Sequence, residues 1–96
     1  MKTPFRIRAA KLVNRILHIR LTLIARGASR NKAVDWKRCK DFQQQIEPLK
    51  SDRQWAAFLS GNAEWLQQIV SPRNRAFQRQ LVDLQLEAMV ILNQED

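Results

Sequence analysis

The sequence is poor in the residues that build disulfides, metal sites and turns. Its 96 residues contain one cysteine, Cys39, and one histidine, His18, which excludes an internal disulfide and the four-cysteine or Cys₂His₂ zinc sites. Two glycines and three prolines argue against a many-stranded sandwich or barrel. The apolar fraction of 45% is ordinary for a globular chain, and this length suits one domain with a modest core. Composition therefore predicts a small helical domain.

Acidic residues are almost missing from the first part of the chain. Residues 1–40 hold twelve lysines and arginines against one acid, Asp35, which gives a formal charge of +11. Residues 41–96 hold five bases against eight acids, or −3, which recovers the total of +8. Such an asymmetric field speeds encounter with a negative partner, whether nucleic acid, an acidic protein face or an anionic membrane.

Long uncharged apolar runs are missing as well. Arg15 and Arg20 interrupt the one segment that could serve as a secretory signal, and no stretch approaches the ~20 apolar residues that span a bilayer. The arginine-rich, acid-free opening imitates a mitochondrial transit peptide, as any basic amphipathic helix does. We expect a cytoplasmic protein in which Cys39 is reduced.

The first predicted element is a long basic helix. Thr3 is placed as its N-cap, with Pro4 at the first helical position. Gly27 can supply the left-handed residue that ends the helix after Arg26. The apolar arc of this helix covers more than half of its circumference and comprises Phe5, Ala9, Leu12, Val13, Ile16, Leu17, Ile19, Leu21, Leu23 and Ile24.

Two features complicate this assignment. Arg6 and Arg20 fall inside the apolar arc, where each must find a partner or extend its head into water. In addition, residues 17–23 alternate apolar and polar side chains with the period of a strand, and residues 82–88 do the same. A two-stranded ribbon of these segments would be marginal by itself, so helix is the leading interpretation for both.

Four more helices are predicted, so that the chain reads as a single all-α domain over residues 1–96. It has a long basic N-terminal helix, short middle helices and a long C-terminal helix. Capping signals and prolines mark the boundaries. The second helix is predicted from Ser29 or Asn31 to Glu47. The third runs from Ser51, with its capping partner Gln54, to the Ser60-Gly61-Asn62 stop. A short fourth helix is capped by Asn62, and Ser71-Pro72 opens the last helix.

Little in the sequence suggests chemistry. Cys39 and His18 are the one conceivable nucleophile and base, and a buried cysteine with a solvent-facing histidine is the commoner arrangement. The carboxylates are scattered, without the paired spacing of a metal or glycosidase site. We therefore predict no enzyme activity, no catalytic residue, no cofactor and no metal.

The three tryptophans leave two interpretations open. Trp36, Trp55 and Trp65 could stack nucleobases, although their spacing among apolar neighbours favours core positions, with Trp36 the best surface candidate. The Ala57–Leu66 segment superficially resembles a helix-turn-helix. Its second helix offers Glu64 and glutamines rather than the bases that would approach phosphates, so we do not favour DNA reading through it.

The basic face of the first helix is the strongest functional feature. It lacks the acids that form i,i+4 ion pairs on an ordinary solvated helix, and it lies beside more apolar surface than one packing contact needs. Surplus apolar surface next to concentrated positive charge is typical of a docking surface. A large protein partner ranks first and direct nucleic-acid contact is secondary. A membrane surface ranks third, and no membrane partner is predicted. The predicted contact residues are Arg8, Lys11, Arg15, Arg26, Arg30 and Lys32.

Pro72 has two interpretations. In the first, it is simply the opening residue of the last helix. In the second, Ser71-Pro72 is an exposed, isomerisable bond used as a switch or recognised by an isomerase.

Over its whole length the chain resembles the Abc-type anti-RecBCD proteins of lambdoid phages, including the Met1–Arg8 opening and the Trp65–Arg75 stretch. The resemblance transfers no site residue. It implies a non-enzymatic modifier that binds the host RecBCD helicase–nuclease, through its RecC subunit, in the host cytoplasm, and alters the processing of DNA ends. A homo-oligomer is compatible with this function. The alternative is a small basic nucleic-acid-binding protein, either a repressor or an architectural factor.

Overall fold

A computed structural model describes residues 3–27 and 32–94, and these residues form five α-helices with no strand among them. The all-α prediction is confirmed, and both segments with strand-like alternation are helical. The middle helices are short and the first and last are long, as expected. The helices are α1 (Phe5–Ala25), α2 (Lys32–Ile46), α3 (Asp52–Gly61), α4 (Ala63–Ile69) and α5 (Arg75–Asn93).

The N-terminal end of α1 differs from the prediction, whereas the glycine predicted after its C-terminal end has the expected conformation. Pro4, not Thr3, occupies the N-cap position, and no side chain caps this end. Proline at the N-cap already has the extended backbone that precedes a helix (φ −54°, ψ 147°), which moves the start by one residue. At the other end Gly27 has φ +81° and its N–H donates to the carbonyl of Ile24 at 3.0 Å, so its predicted left-handed role is confirmed.

The capping box that opens α3 forms as predicted. The Ser51 hydroxyl accepts from the Gln54 backbone N–H, and the Gln54 side-chain oxygen accepts from the Ser51 N–H, each at 3.1 Å. The predicted cap of α4 is wrong in its detail. Asn62 holds the N-cap position without a side-chain capping bond, because its amide nitrogen donates backward to the Phe58 carbonyl at 2.8 Å.

The start of α5 also differs from the prediction. Ser71 and Pro72 lie in a turn, and the Asn74 N–H donates to the Ser71 carbonyl at 2.9 Å to close it. The Ser71 hydroxyl accepts from the Arg73 N–H at 3.2 Å, while the Asn74 side chain caps α5 by accepting from the Phe77 N–H at 3.1 Å. Pro72 is therefore not the first helical residue. It is exposed, and its peptide bond is trans; its use as a switch stays a prediction.

The helices enclose one apolar core, with α1 packed against α2, α3 and α5, and α3 packed along α5. An aromatic cluster joins the short helices to it. Phe42 stacks on Trp65 with ring centroids 4.2 Å apart and meets Phe58 edge-on at 5.7 Å; Trp55 meets Phe58 edge-on at 5.8 Å. The largest fully buried side chains are Val13, Leu17, Ile24, Cys39, Leu59, Leu66 and Leu81.

The apolar arc of α1 is only partly used by this core. Its expected members Ile19 and Leu23 remain 41% and 40% exposed, and Ile7, on the edge of α1, is 40% exposed. The helix therefore retains apolar surface after the domain has packed, as the sequence predicted. Among the helices of residues 3–27 and 32–94, none combines the length and the apolar composition needed to cross a membrane.

Candidate partner-binding surface

The structure divides the six predicted contact residues into four groups. Lys11 and Arg15 are exposed one turn apart on α1. Arg26 is exposed just past the end of α1, roughly 16 Å farther along the axis from Arg15 at 1.5 Å per residue. Arg30 and the side chain of Lys32 lie outside the described part of the chain. Arg8 is held by an internal ion pair.

The Arg8 ion pair joins the first and last helices. The guanidinium donates two hydrogen bonds to the Glu87 carboxylate, at 2.7 and 2.9 Å, and its Nε donates to the Thr3 carbonyl at 2.9 Å. The hydrogen bond to Glu87 is the main cause that raises the pKa of Arg8. All three of its nitrogens have internal acceptors, so Arg8 offers a partner less free charge than Lys11 or Arg15. Its side chain is still 37% exposed and lines a cleft between α1 and α5.

The two arginines inside the apolar arc also have partners, as the sequence required. Asp52, in the first turn of α3, accepts from the Arg6 backbone N–H at 3.0 Å, and its carboxylate lies 3.5 Å from the Arg6 guanidinium. Arg20 donates to Asp35 on α2 at 3.1 Å. These pairs fix α1 against α2 and α3 and leave less free charge on α1 than its sequence suggests.

A large open groove runs beside α1 where it faces the end of α2 and the start of α3. We call it the α1–α2 groove; its volume is about 890 Å³. Its apolar side chains come from all three helices and the connection after α2, and its charged rim holds four cations and one acid. It is lined by Arg6, Ile7, Ala10, Lys11, Asn14, Arg15, Gln43, Ile46, Glu47, Leu49, Lys50 and Trp55.

A second groove, the α1–α5 groove, lies on the other side of the same residues and has a volume of about 360 Å³. Lys11 and Arg15 line both grooves, so they form a ridge between them, which we call the Lys11/Arg15 ridge. Within residues 3–27 and 32–94, no carboxylate lies within 4.0 Å of either side chain. Arg15 lies 5.4 Å from the centroid of the Phe77 ring, which supports its guanidinium without neutralising it. The ridge thus presents two available cations between two partly apolar clefts.

Lys50 and Leu49 are parts of this surface that sequence reasoning missed. They lie in the connection between α2 and α3, with Leu49 half-buried and Lys50 exposed. The backbone N–H of Lys50 donates to the Gln54 side-chain oxygen at 2.8 Å, so the capping box also holds this connection. The sequence predicted the capping box, but no pattern in it indicated that this connection would lie beside α1.

The three tryptophans occupy both core and surface positions. Trp55 is buried, and Trp65 is half-buried on Phe42. Trp36 is 41% exposed on α2, with the Lys40 ammonium 5.4 Å from its ring centroid. Lys37 is exposed next to it. A second tryptophan–base pair joins α2 to α4, where the Arg38 guanidinium lies 5.0 Å from the ring centroid of the half-buried Trp65. The aromatic–basic combination considered for nucleic acid is therefore most exposed on α2.

The Cys39 side chain is fully buried, and burial is the main cause that raises the pKa of its thiol. An activated nucleophile needs the opposite shift. His18 is exposed on α1. In the described residues, no group of three or more metal-binding side chains comes together.

On α4, the exposed residues of the helix-turn-helix candidate are Glu64, Gln67 and Gln68, so its polar face carries one negative charge and no base.

Comparison with protein-family models, curated proteins and solved structures finds no match to this chain. The function must therefore be argued from the ridge, the grooves and the charge distribution themselves.

Proposed function

We propose that this protein is a non-enzymatic accessory factor that binds a large protein partner through the Lys11/Arg15 ridge and its two grooves. The observation that carries the proposal is the pair of available cations between clefts with apolar walls. Following the resemblance to the Abc-type proteins, the partner is the host RecBCD helicase–nuclease in the cytoplasm, contacted through RecC. Binding alters the processing of DNA ends so that phage DNA survives and recombines.

The composition of the α1–α2 groove favours a protein over a bare polyanion. Ile7, Ile46 and Leu49 would gain little from contact with phosphates, whereas an amphipathic segment could bury its apolar side chains on them and offer carboxylates to the ridge. Glu47 on the opposite rim would repel a continuous phosphate backbone. The chemistry of the surface therefore suits an acidic, partly apolar protein segment.

The proposal is tested by charge reversal at the ridge. Lys11→Glu/Arg15→Glu should weaken binding to purified RecBCD at least about tenfold, because each rim cation would become a repulsive charge. The matched control is Lys37→Glu/Lys40→Glu on α2, which changes the net charge by the same amount on two other exposed lysines and should leave binding within about twofold. Binding is measured by interferometry with nuclease-treated components. Equal losses in the two variants, or no binding by the wild type, would contradict the proposal.

The runner-up function has one observation in its favour, the exposed Trp36 beside Lys37 and Lys40 on α2. Such a patch can stack a base and contact phosphates. If the protein acts on nucleic acid, its affinity should fall steeply with salt, by about 10³–10⁵ between 50 and 200 mM for 6–10 phosphate contacts. In that case Lys37→Glu/Lys40→Glu would be the damaging variant. The same two double variants therefore distinguish the two functions.

A further inference from the structure

The α1–α5 groove has two walls of opposite charge that do not meet. Lys11 and Arg15 stand on its α1 wall, and Asp83, which is exposed on α5, stands on the other wall. In the part of the chain that the structure describes, no cation lies within 4.0 Å of the Asp83 carboxylate. The groove therefore offers two available cations on one side and one available acid on the other.

Contacts at both ends of the groove hold its walls at their spacing. At one end Arg8 donates to the Glu87 carboxylate at 2.7 and 2.9 Å. At the other end the Arg15 guanidinium lies 5.4 Å from the centroid of the Phe77 ring. Residues that follow one another on α1 thus meet their partners on α5 in reverse order, so the two helices run antiparallel and Asp83 lies between the two contacts.

The floor and the size of the groove suit side chains of a partner. Leu12 and Leu84 line it and are buried, so its floor is apolar. Its volume of about 360 Å³ falls within the range of about 300–1,000 Å³ that is typical of binding clefts. Arg8 also lines the groove, but Glu87 already matches its charge. The charges that remain for a partner are those of Lys11, Arg15 and Asp83.

The opposed walls discriminate between kinds of partner. A phosphate backbone attracted by Lys11 and Arg15 would bring further negative charges close to Asp83, and like charges brought together oppose binding. A purely basic segment would be repelled by the ridge in the same way. A segment with a carboxylate on one edge and a basic side chain on the other complements both walls.

We propose that the α1–α5 groove binds a mixed-charge segment of a protein partner. The carboxylate of this segment pairs with the Lys11/Arg15 ridge, and its basic side chain pairs with Asp83. The inference rests on the proposed function and adds a chemical requirement to it, namely that the acidic segment also carries a base. Asp83 is thus a specificity-determining residue, which attracts this segment and excludes polyanions.

The test reverses the charge of Asp83 and measures two kinds of binding. Asp83→Lys should weaken binding to purified, nuclease-treated RecBCD at least about fivefold, because the basic side chain of the partner would face a lysine. The same variant should bind a short labelled DNA duplex at least about threefold more tightly at low salt, because both walls of its groove would then attract phosphates. Interferometry measures the first affinity, and fluorescence anisotropy measures the second.

Glu64→Lys is the matched control. Glu64 is exposed on α4, and its reversal changes the net charge by the same amount. This variant should leave RecBCD binding within about twofold and should raise the affinity for the duplex less than Asp83→Lys does. In a Lys11→Glu/Arg15→Glu background, Asp83→Lys should lose most of its gain in DNA affinity, because the opposite wall would then repel phosphates.

Two results would overturn the proposal. The first is an Asp83→Lys variant that binds RecBCD as tightly as the wild type or more tightly, because the partner would then offer acids alone. The second is an equal gain in DNA affinity for Asp83→Lys and Glu64→Lys, because Asp83 would then have no special place beside the ridge. Failure of the proposed function differs from both, since RecBCD would then not bind the wild type or would ignore the ridge variant. The DNA comparison would in that case decide alone whether Asp83 excludes polyanions.

Discussion

The ion pair between Arg8 and Glu87 should contribute to stability and little to partner binding. Its bidentate bonds of 2.7 and 2.9 Å place it among the stronger surface pairs, but the side chains are 37% and 40% exposed, so solvent screens them. Surface pairs contribute about 0.2–1 kcal/mol, and we expect a coupling of about 0.5–1 kcal/mol here. Arg8→Ala should cost somewhat more, about 1–1.5 kcal/mol, because the bond to the Thr3 carbonyl is also lost.

A double-mutant cycle measures this coupling directly. Arg8→Ala, Glu87→Gln and the double variant are unfolded in urea and followed by circular dichroism, and the non-additive part of the free energy of unfolding is the pair's contribution. Repeating the cycle in 1 M salt, where the screening length is about 3 Å, should reduce the coupling. Additive single effects at low salt would refute the structural role. An Arg8→Ala variant that stays folded but loses RecBCD binding as completely as Lys11→Glu/Arg15→Glu would refute the expectation that Arg8 contributes little to partner binding.

Two further predictions concern single positions. Gly27→Ala should lower the free energy of unfolding by about 1 kcal/mol, because φ is +81° at this position. No neighbouring atom opposes the new methyl group, so the backbone conformation alone sets this cost. Gly61→Ala, where φ is not positive, should be neutral or slightly stabilising in thermal melting. Cys39 should react with a thiol reagent only on unfolding. Burial raises the pKa of this thiol in the folded protein, so the thiol ionises first in the unfolded chain as the pH rises above the ordinary value of 9.0. The free energy of unfolding should therefore fall above that pH in the wild type, and fall less in Cys39→Ala. Rapid native labelling, or identical alkaline profiles, would contradict this account.

The parts of the fold that sequence could predict are those fixed by local chemistry. The capping box of Ser51 and Gln54 needs only two side chains three residues apart, and the left-handed turn needs only Gly27. Local reasoning failed where two such signals compete. Ser71-Pro72 and Asn74 can each precede a helix, and the Ser71 hydroxyl is used by the Arg73 N–H in a turn, which leaves Asn74 to cap α5.

The candidate surface was less predictable because it depends on contacts between distant residues. The sequence places Arg8 on the basic side of α1 with Lys11 and Arg15, and nothing local shows that Glu87, 79 residues away, will meet it. Likewise, the connection carrying Leu49 and Lys50 becomes a groove wall only because α3 packs beside α1. Sequence therefore predicts which helix carries the candidate surface, and tertiary packing decides which of its cations remain available.

The internal ion pairs of α1 fix the helix that carries the Lys11/Arg15 ridge. The internal pairs of Arg6, Arg8 and Arg20 hold α1 to α3, α5 and α2, respectively, so the ridge residues project from a helix that is fixed on three sides. A fixed cation pair loses less entropy on binding than one on a mobile segment. Under the proposed function, the internal pairs would support the candidate surface without touching the partner. Loosening them should then increase the dissociation rate of the complex more than it reduces the association rate.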